Sequence, residues 1–176
     1  MSDLKQASKG LFLGSFLFHN QYITKQELIS FWESEFGESI YFQTDHCPMK
    51  EYYSKEMGDV EKLERFFLVS RVPMERESLV SLKVWADQLE KSYFQDDKRV
   101  FNLDIGLLTL ENFSLATGKS YAHRIYLGQG VYSDLNHTFS NKSFEPLPWT
   151  YPDYKTSEFI DYLNYLRGIL FLSLKK

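Results

Sequence analysis

The chain predicts an α+β fold: a ferredoxin-like βαββαβ antiparallel sheet, extended by a C-terminal β-meander and closed by a last helix. Short apolar runs bounded by turn residues alternate with longer segments whose apolar residues recur at helical spacing. Over residues 11–105 their order is strand, helix, strand, strand, helix, strand. Beyond residue 106, turns rich in Gly and Asn separate further short runs, as in a meander.

Leu11 to Phe18 is apolar on both faces, as a central strand must be. Thr24-Lys25-Gln26-Glu27 is a capping box: the Thr24 hydroxyl can accept from a free backbone N–H while Glu27 reaches back to the cap. Leu28, Trp32 and Phe36 then form one helical face, and Gly37 ends it. Ser39 to Gln43 reads as a second strand. The polar stretch from Asp45 through Asp59 reads as a long loop or a partly helical excursion. A third strand, Phe66 to Val72, is terminated by Pro73. Leu82, Trp85 and Leu89 mark a second amphipathic helix to about Tyr93, and Arg99 to Ile105 a fourth strand. A short helical segment is expected near Leu110 to Thr117. Strands at Ala122–Leu127, Val131–Phe139 and around Phe144 follow, joined by Gly128-Gln129-Gly130 and Ser140-Asn141-Lys142. The closing helix starts near Thr156, with Glu158 in its positive first turn and Phe159, Leu163, Leu166 and Leu170 as its buried stripe.

At 176 residues and 43% hydrophobic, the chain fits a single domain (1–176) with ample core. A net charge of −4 argues against a nucleic-acid coat, so nucleic acid is not an expected partner. A lone cysteine, Cys47, excludes an intramolecular disulfide and a multi-cysteine metal site, and fits a cytoplasmic location. Lys5 and Lys9 before GLFLGSFLF imitate a signal peptide, but His19-Asn20-Gln21 stands where a small-residue cleavage site belongs, so a buried strand is expected. Ile169 to Leu172 falls far short of the ~20 apolar residues that span a bilayer, so no membrane partner is expected. No motif specifies a cofactor, a reaction or an oligomeric state.

Candidate site residues concentrate in the third quarter of the chain. In the fourth strand Phe101, Leu103 and Ile105 share one face, leaving Asn102 and Asp104 together on the other. Asp104 suits a metal ligand, a base or the orienting partner of a histidine; it equally suits a solvated face or a cross-strand arginine. His123 and Arg124, adjacent on an expected strand, would face opposite ways, so one alone joins Asp104. Arg124 with Tyr126 would hold a phosphate or carboxylate; His123 is the candidate for proton transfer. Lys119 could add a second cation or be an ordinary turn lysine. Gly118-Lys119-Ser120 is no phosphate loop, because Phe113 stands where the first glycine is needed.

Pro146 to Tyr154 presents Trp149, Tyr151, Asp153 and Tyr154 on a path stiffened by three prolines, suited to stacking on a ring or to sealing the core. Tyr52, Tyr53 and Glu56 would share a face if their segment is helical, making a lid or pocket wall. Asp45-His46-Cys47 matches no ligand spacing, and no metal site is expected. His19 and His137 have no surrounding pattern.

The segments EYYSKEMG (51–58), FNLDIG (101–106), SYAHRIYLGQGVY (120–132) and PLPWTYPDY (146–154), in this order, resemble the bacterial family catalogued as domain of unknown function 4416. Where its members commonly read Asn-Leu-Asp-Pro-Gly, this chain has Ile105 before Gly106, removing the proline that would stiffen an expected turn. The resemblance implies an uncharacterised protein. A GTP-binding label carried by some members finds no phosphate loop here to support it.

Two functions fit. The first is binding of a nucleotide or other phosphorylated or anionic small molecule, with or without action on it: Arg124, Lys119 and Tyr126 would hold the anion, Asp104 and Asn102 orient the substrate or a metal, and His123 is the acid or base candidate. The second is a non-catalytic module that binds protein or RNA through a sheet face or the Trp149–Tyr154 strap. It lacks the aromatic signature of RNA-binding sheets of this kind.

Overall fold

The apolar run that opens the chain becomes a strand with every residue buried, β1 (Leu11–His19). A computed structural model describes residues 3–44, 47–95 and 98–175; Asp45 and His46 lie outside the described residues. After β1 come α1 (Lys25–Phe36), β2 (Ser39–Phe42), α2 (Lys50–Met57), β3 (Leu63–Ser70) and α3 (Ser78–Ser92). A hairpin of β4 (Phe94–Gln95) and β5 (Lys98–Arg99) leads into β6 (Phe101–Leu108) and β7 (Asn112–Thr117). The chain then forms β8 (Arg124–Gly128), β9 (Val131–Ser140), β10 (Ser143–Pro146) and α4 (Ser157–Ser173).

Eight of the strands build one sheet in the order β10-β9-β7-β6-β1-β3-β2, with β8 also paired to β9, while β4 and β5 pair only with each other. All the sheet's described ladders are antiparallel, and the fold is α+β with four α-helices among the described residues. Alternation along the strands divides the core in two. Phe12, Phe16, Phe66 and Leu103 point to one face, where Leu28 and Trp32 of α1 and Leu79 and Leu82 of α3 cover them. Leu13, Phe67, Val69 and Leu108 point to the other, under Phe159, Leu163, Leu166 and Leu170 of α4. Further along that second face, Leu17 and Leu63 pack against Met57 of α2.

Local signals explain the helix ends. Both halves of the capping box form: Glu27 N–H donates to Thr24 Oγ1 at 3.2 Å, and Thr24 N–H to Glu27 at 2.8 Å. The Thr156 hydroxyl likewise accepts from Phe159 N–H and starts α4. In the β8–β9 hairpin Gln129 and Gly130 both take positive φ, +51° and +77°, the geometry of a tight two-residue turn that matches strand twist.

The segment Leu110 to Thr117 is not helical. It forms β7, the return arm of a hairpin from β6, and its alternation serves both cores: Phe113 and Leu115 face α4, Ala116 the opposite side. So short an apolar run fits either period, and pairing with β6 and β9 decides it. Thr109 closes the hairpin, its hydroxyl accepting from Asn112 N–H at 3.0 Å. There is also no turn at Gly106. β6 runs on to Leu108, and the Phe113 ring lies where a Gly106 side chain would be, 2.6 Å from an ideal Cβ.

One irregularity positions the site. β6 and β7 pair only from Gly106↔Leu115 to Leu108↔Phe113, while β7 continues beside β9 as far as Thr117. The sheet therefore opens into a seam along residues 101–105 of β6. A bare strand edge inside a protein leaves an N–H without a partner, which is costly. Here Glu90 of α3 supplies one, accepting from Leu103 N–H at 3.0 Å.

Among the described residues no helix is long and apolar enough to cross a membrane. In the second core His137 is fully buried, its Nε2–H donating to the Tyr154 carbonyl at 2.9 Å while Nδ1 has no partner. Burial lowers its pKa from an ordinary 6.5 to about 4. Between these values the unfolded chain takes up a proton that the folded one refuses. Stability is thus fully present above pH 6.5 and falls, by about 3 kcal/mol, as the pH drops to 4. Urea titrations from pH 7 to 4 should show this loss, and His137→Gln should flatten that part of the profile.

Candidate functional site

On the α2 side of the sheet, the alternating positions Leu63, Arg65, Phe67 and Val69 put one guanidinium among apolar side chains. Arg65 is 6% exposed. It donates to Ser15 Oγ through Nη2 at 2.8 Å and Nε at 3.2 Å, and its Nη1 is bonded to Asp153. The Phe67 and Tyr154 rings each lie 5.0 Å from its centre and meet each other at an angle beside it. Asp153 also accepts from Met49 N–H at 3.0 Å, tying the start of α2 to the strap after β10. The strap is fastened to β9 as well, through Trp149 Nε1–H to Leu135 O at 2.7 Å and Thr150 Oγ1–H to Asn136 O at 2.6 Å.

This arrangement floors a cleft of about 450 Å³ that opens along the seam between β6 and β7. That volume lies within the range of small-molecule sites. α2 contributes Tyr52, Tyr53 and Glu56 to one wall; β6 contributes Asn102 and Asp104; the end of β7 contributes Thr117, Gly118 and Lys119; α3 contributes Lys83 and Glu90.

The lining carries both signs, and most of its charges are matched. Arg65 pairs with Asp153, and Arg124 with Asp134 at 2.8 Å. Arg99 lies 3.5 Å from Glu90 and 3.8 Å from Glu56, and it donates to Asn102 Oδ1 at 2.8 Å. Among the described residues Lys83 and Lys119 have no ion pair within 4 Å. Asp104 faces no cation at that distance; it accepts from the Tyr154 hydroxyl at 3.4 Å. The Asp104 charge, followed by burial, pushes the Tyr53 phenol well above its ordinary range, and burial followed by Asp104 does the same to Tyr154. Both stay protonated donors beside the carboxylate. Burial raises Glu90, against the opposing pull of Lys83 and Arg99.

Of the residues singled out in the sequence, the cleft gathers Tyr52, Tyr53, Glu56, Asn102, Asp104, Lys119, Arg124, Tyr151, Asp153 and Tyr154 along its walls. Asp153 and Tyr154 are buried there as partners of Arg65 and Asp104. Tyr126 does not line the cleft: it is 59% exposed, its ring lies 5.1 Å from Tyr132, and its hydroxyl accepts from Gly130 N–H at the turn. His123 and Trp149 line an adjoining shallow hollow, stacked with ring centres 4.6 Å apart. The expectation that His123 and Arg124 must diverge does not hold, because β8 begins only at Arg124 and His123 lies in the preceding turn. Both reach Asp134, His123 Nε2 at 3.5 Å. Among the described residues no group of three or more His, Cys, Asp or Glu is arranged to hold a metal ion.

Sequence reasoning missed Arg65, Lys83, Glu90, Arg99 and Asp134. Arg65 had a signal, as a lone charge on an otherwise apolar strand face. Asp134 had none: counted from the turn, Leu135 would face Arg124, and a bulge after Tyr126 brings Asp134 there instead. Lys83 and Glu90 come from a distant segment, and Arg99 gains its role only through its partners on α3 and α2.

Fold and cleft together define an α+β protein with a polar, ligand-sized seam in its sheet. The family model described as a domain of unknown function (DUF4416) matches residues 8–169, and the chain belongs to that family. No curated protein and no solved structure matches it.

Removing the Asp153 carboxylate would leave a buried guanidinium uncompensated. Asp153→Ala should cost about 3–5 kcal/mol in urea unfolding, and Arg65→Met with Asp153→Leu should recover most of it.

Proposed function

We propose that the cleft binds a small molecule that carries an anionic group, phosphate or carboxylate, together with a hydrogen-bond donor. The observation that carries this reading is the distribution of unmatched groups. Once the arginines are assigned to their carboxylates, the lining offers Lys83 and Lys119 for an anion and Asp104 for a donor. Arg124 keeps a supporting place at the anion end, its Nη1–H held by Lys119 O at 3.1 Å and its Nη2–H facing the Tyr151 hydroxyl at 3.5 Å. Asn102, its oxygen engaged by Arg99, has its amide N–H groups for the ligand. Asp104, flanked by two phenols kept protonated, is the group placed to exchange a proton with what is bound. His123, outside the cleft, has no part in that exchange.

In the same reading the scaffold is one domain built on a ferredoxin-like half. The antiparallel order β6-β1-β3-β2 and the packing of α1 and α3 on one face support this; β7 to β10 extend it past the β6 edge. Over β1 and β3 both sheet faces are covered, so a free sheet surface for protein or RNA lacks support.

Thermal unfolding with inorganic phosphate, pyrophosphate, sugar phosphates and dicarboxylates tests the proposal. A ligand at about 100 times its Kd should stabilise the protein by about 2.7 kcal/mol. Lys83→Ala with Lys119→Ala should weaken binding at least about tenfold with little change in the unliganded midpoint, since neither ammonium lies within 4 Å of a described carboxylate. No stabilisation by any of these anions, or the same stabilisation in the double variant, overturns it.

A further inference from the structure

Beside the cleft lies a second hollow, lined by Ser120, Tyr121, His123 and Trp149, that shares Lys119, Arg124 and Tyr151 with it. Its chemistry differs from that of the cleft. The His123 and Trp149 rings stack at 16° to each other, and the Tyr121 ring meets His123 edge-on at 5.1 Å. Tyr121 is 67% exposed, Trp149 and Tyr151 40% each. These rings are also held still. Trp149 donates to Leu135 O from a strap stiffened by prolines, and His123 lies 3.5 Å from the buried Asp134. Aromatic surface left in water, with Trp149 fixed by its hydrogen bond and His123 stacked on it, suits stacking on a flat ring, because much of the ordering cost is already met.

The shared wall matters most. Asp134 takes Arg124 Nε–H on one oxygen and faces His123 with the other, so one carboxylate orients a cation of the anion end and a ring of the aromatic hollow. We infer that the two hollows are halves of one site, and that its ligand is a planar aromatic ring joined to an anionic group, of nucleoside monophosphate size. The anion lies by Lys119 and Arg124, and the ring lies against Trp149 and His123. This rests on the anion-binding reading of the cleft and adds the class of molecule that carries the anion. Tyr126, Ile125 and Leu127, exposed elsewhere on β8, take no part.

Calorimetric titration of the full chain with AMP and with ribose 5-phosphate separates ring from anion. AMP should bind at least about tenfold more tightly, the range expected for one base stacked on an aromatic side chain. Trp149→Phe, which keeps a ring, should retain that preference. Trp149→Ala and His123→Ala should each reduce it severalfold while leaving ribose 5-phosphate affinity as it was. Should Trp149→Ala disturb the strap and weaken both ligands, His123→Ala and Trp149→Phe still decide. Equal affinity for the two ligands in the wild type, or a preference that survives both alanine variants, overturns the inference and leaves the anion site standing. Binding of neither ligand, nor of any anion, removes both.

Discussion

A guanidinium withdrawn from water in the middle of a β-sheet constrains everything on that side of the molecule. Arg65 cannot give up its proton, so the surrounding chain must satisfy it. Ser15 does so from β1, Asp153 from the strap, and the neighbouring rings of Phe67 and Tyr154 lie against it. The partners come from segments far apart in sequence, which closes the strap over the sheet and draws the start of α2 to it through Met49. The floor of the cleft is thereby fixed before any ligand arrives. The cost of burying the charge is met by shape: the cleft exists where these segments meet.

The second constraint is the incomplete sheet. Had β7 stayed beside β6 over its full length, strand would fill the space the cleft occupies. Instead β7 follows β9, and Glu90 takes over the N–H that a neighbouring strand would have satisfied. The seam connects the two layers of the protein, so Lys83 and Glu90 on α3 face the same space as Tyr53 on α2. Charges from both layers then match in pairs, and the few unmatched groups give the cleft its polarity.

Much of the architecture is legible in the chain because it is written in local terms. Thr24-Lys25-Gln26-Glu27 starts a helix, Gln129-Gly130 turns a hairpin, and the alternation of Phe101 to Ile105 separates Asn102 and Asp104 from the core. β7 was hidden because its alternation is short and its strand character comes from neighbours rather than from its own residues. The site was half legible for the same reason. Residues in the third quarter and in the strap stand out as polar or aromatic in unusual settings, and most do gather. Tyr126 does not, since a ring on a short hairpin finds its cross-strand partner and the turn before it finds a cleft. The contributions of Lys83 and Glu90 are long-range products of packing, and nothing in their own neighbourhoods on α3 marks them.

The outer margin of the sheet has a further consequence. β9 is paired on one side in two pieces, by β8 near its start and by β10 near its end. The margins these short strands leave open are interrupted, and β10 ends at Pro146, which has no N–H to offer. At the opposite margin β2 spans only Ser39–Phe42. Among the described residues, these margins offer no long, continuous row of unpaired backbone groups to a strand from another molecule. A chain so rich in aromatic strands is in this way guarded against polymerising edge to edge.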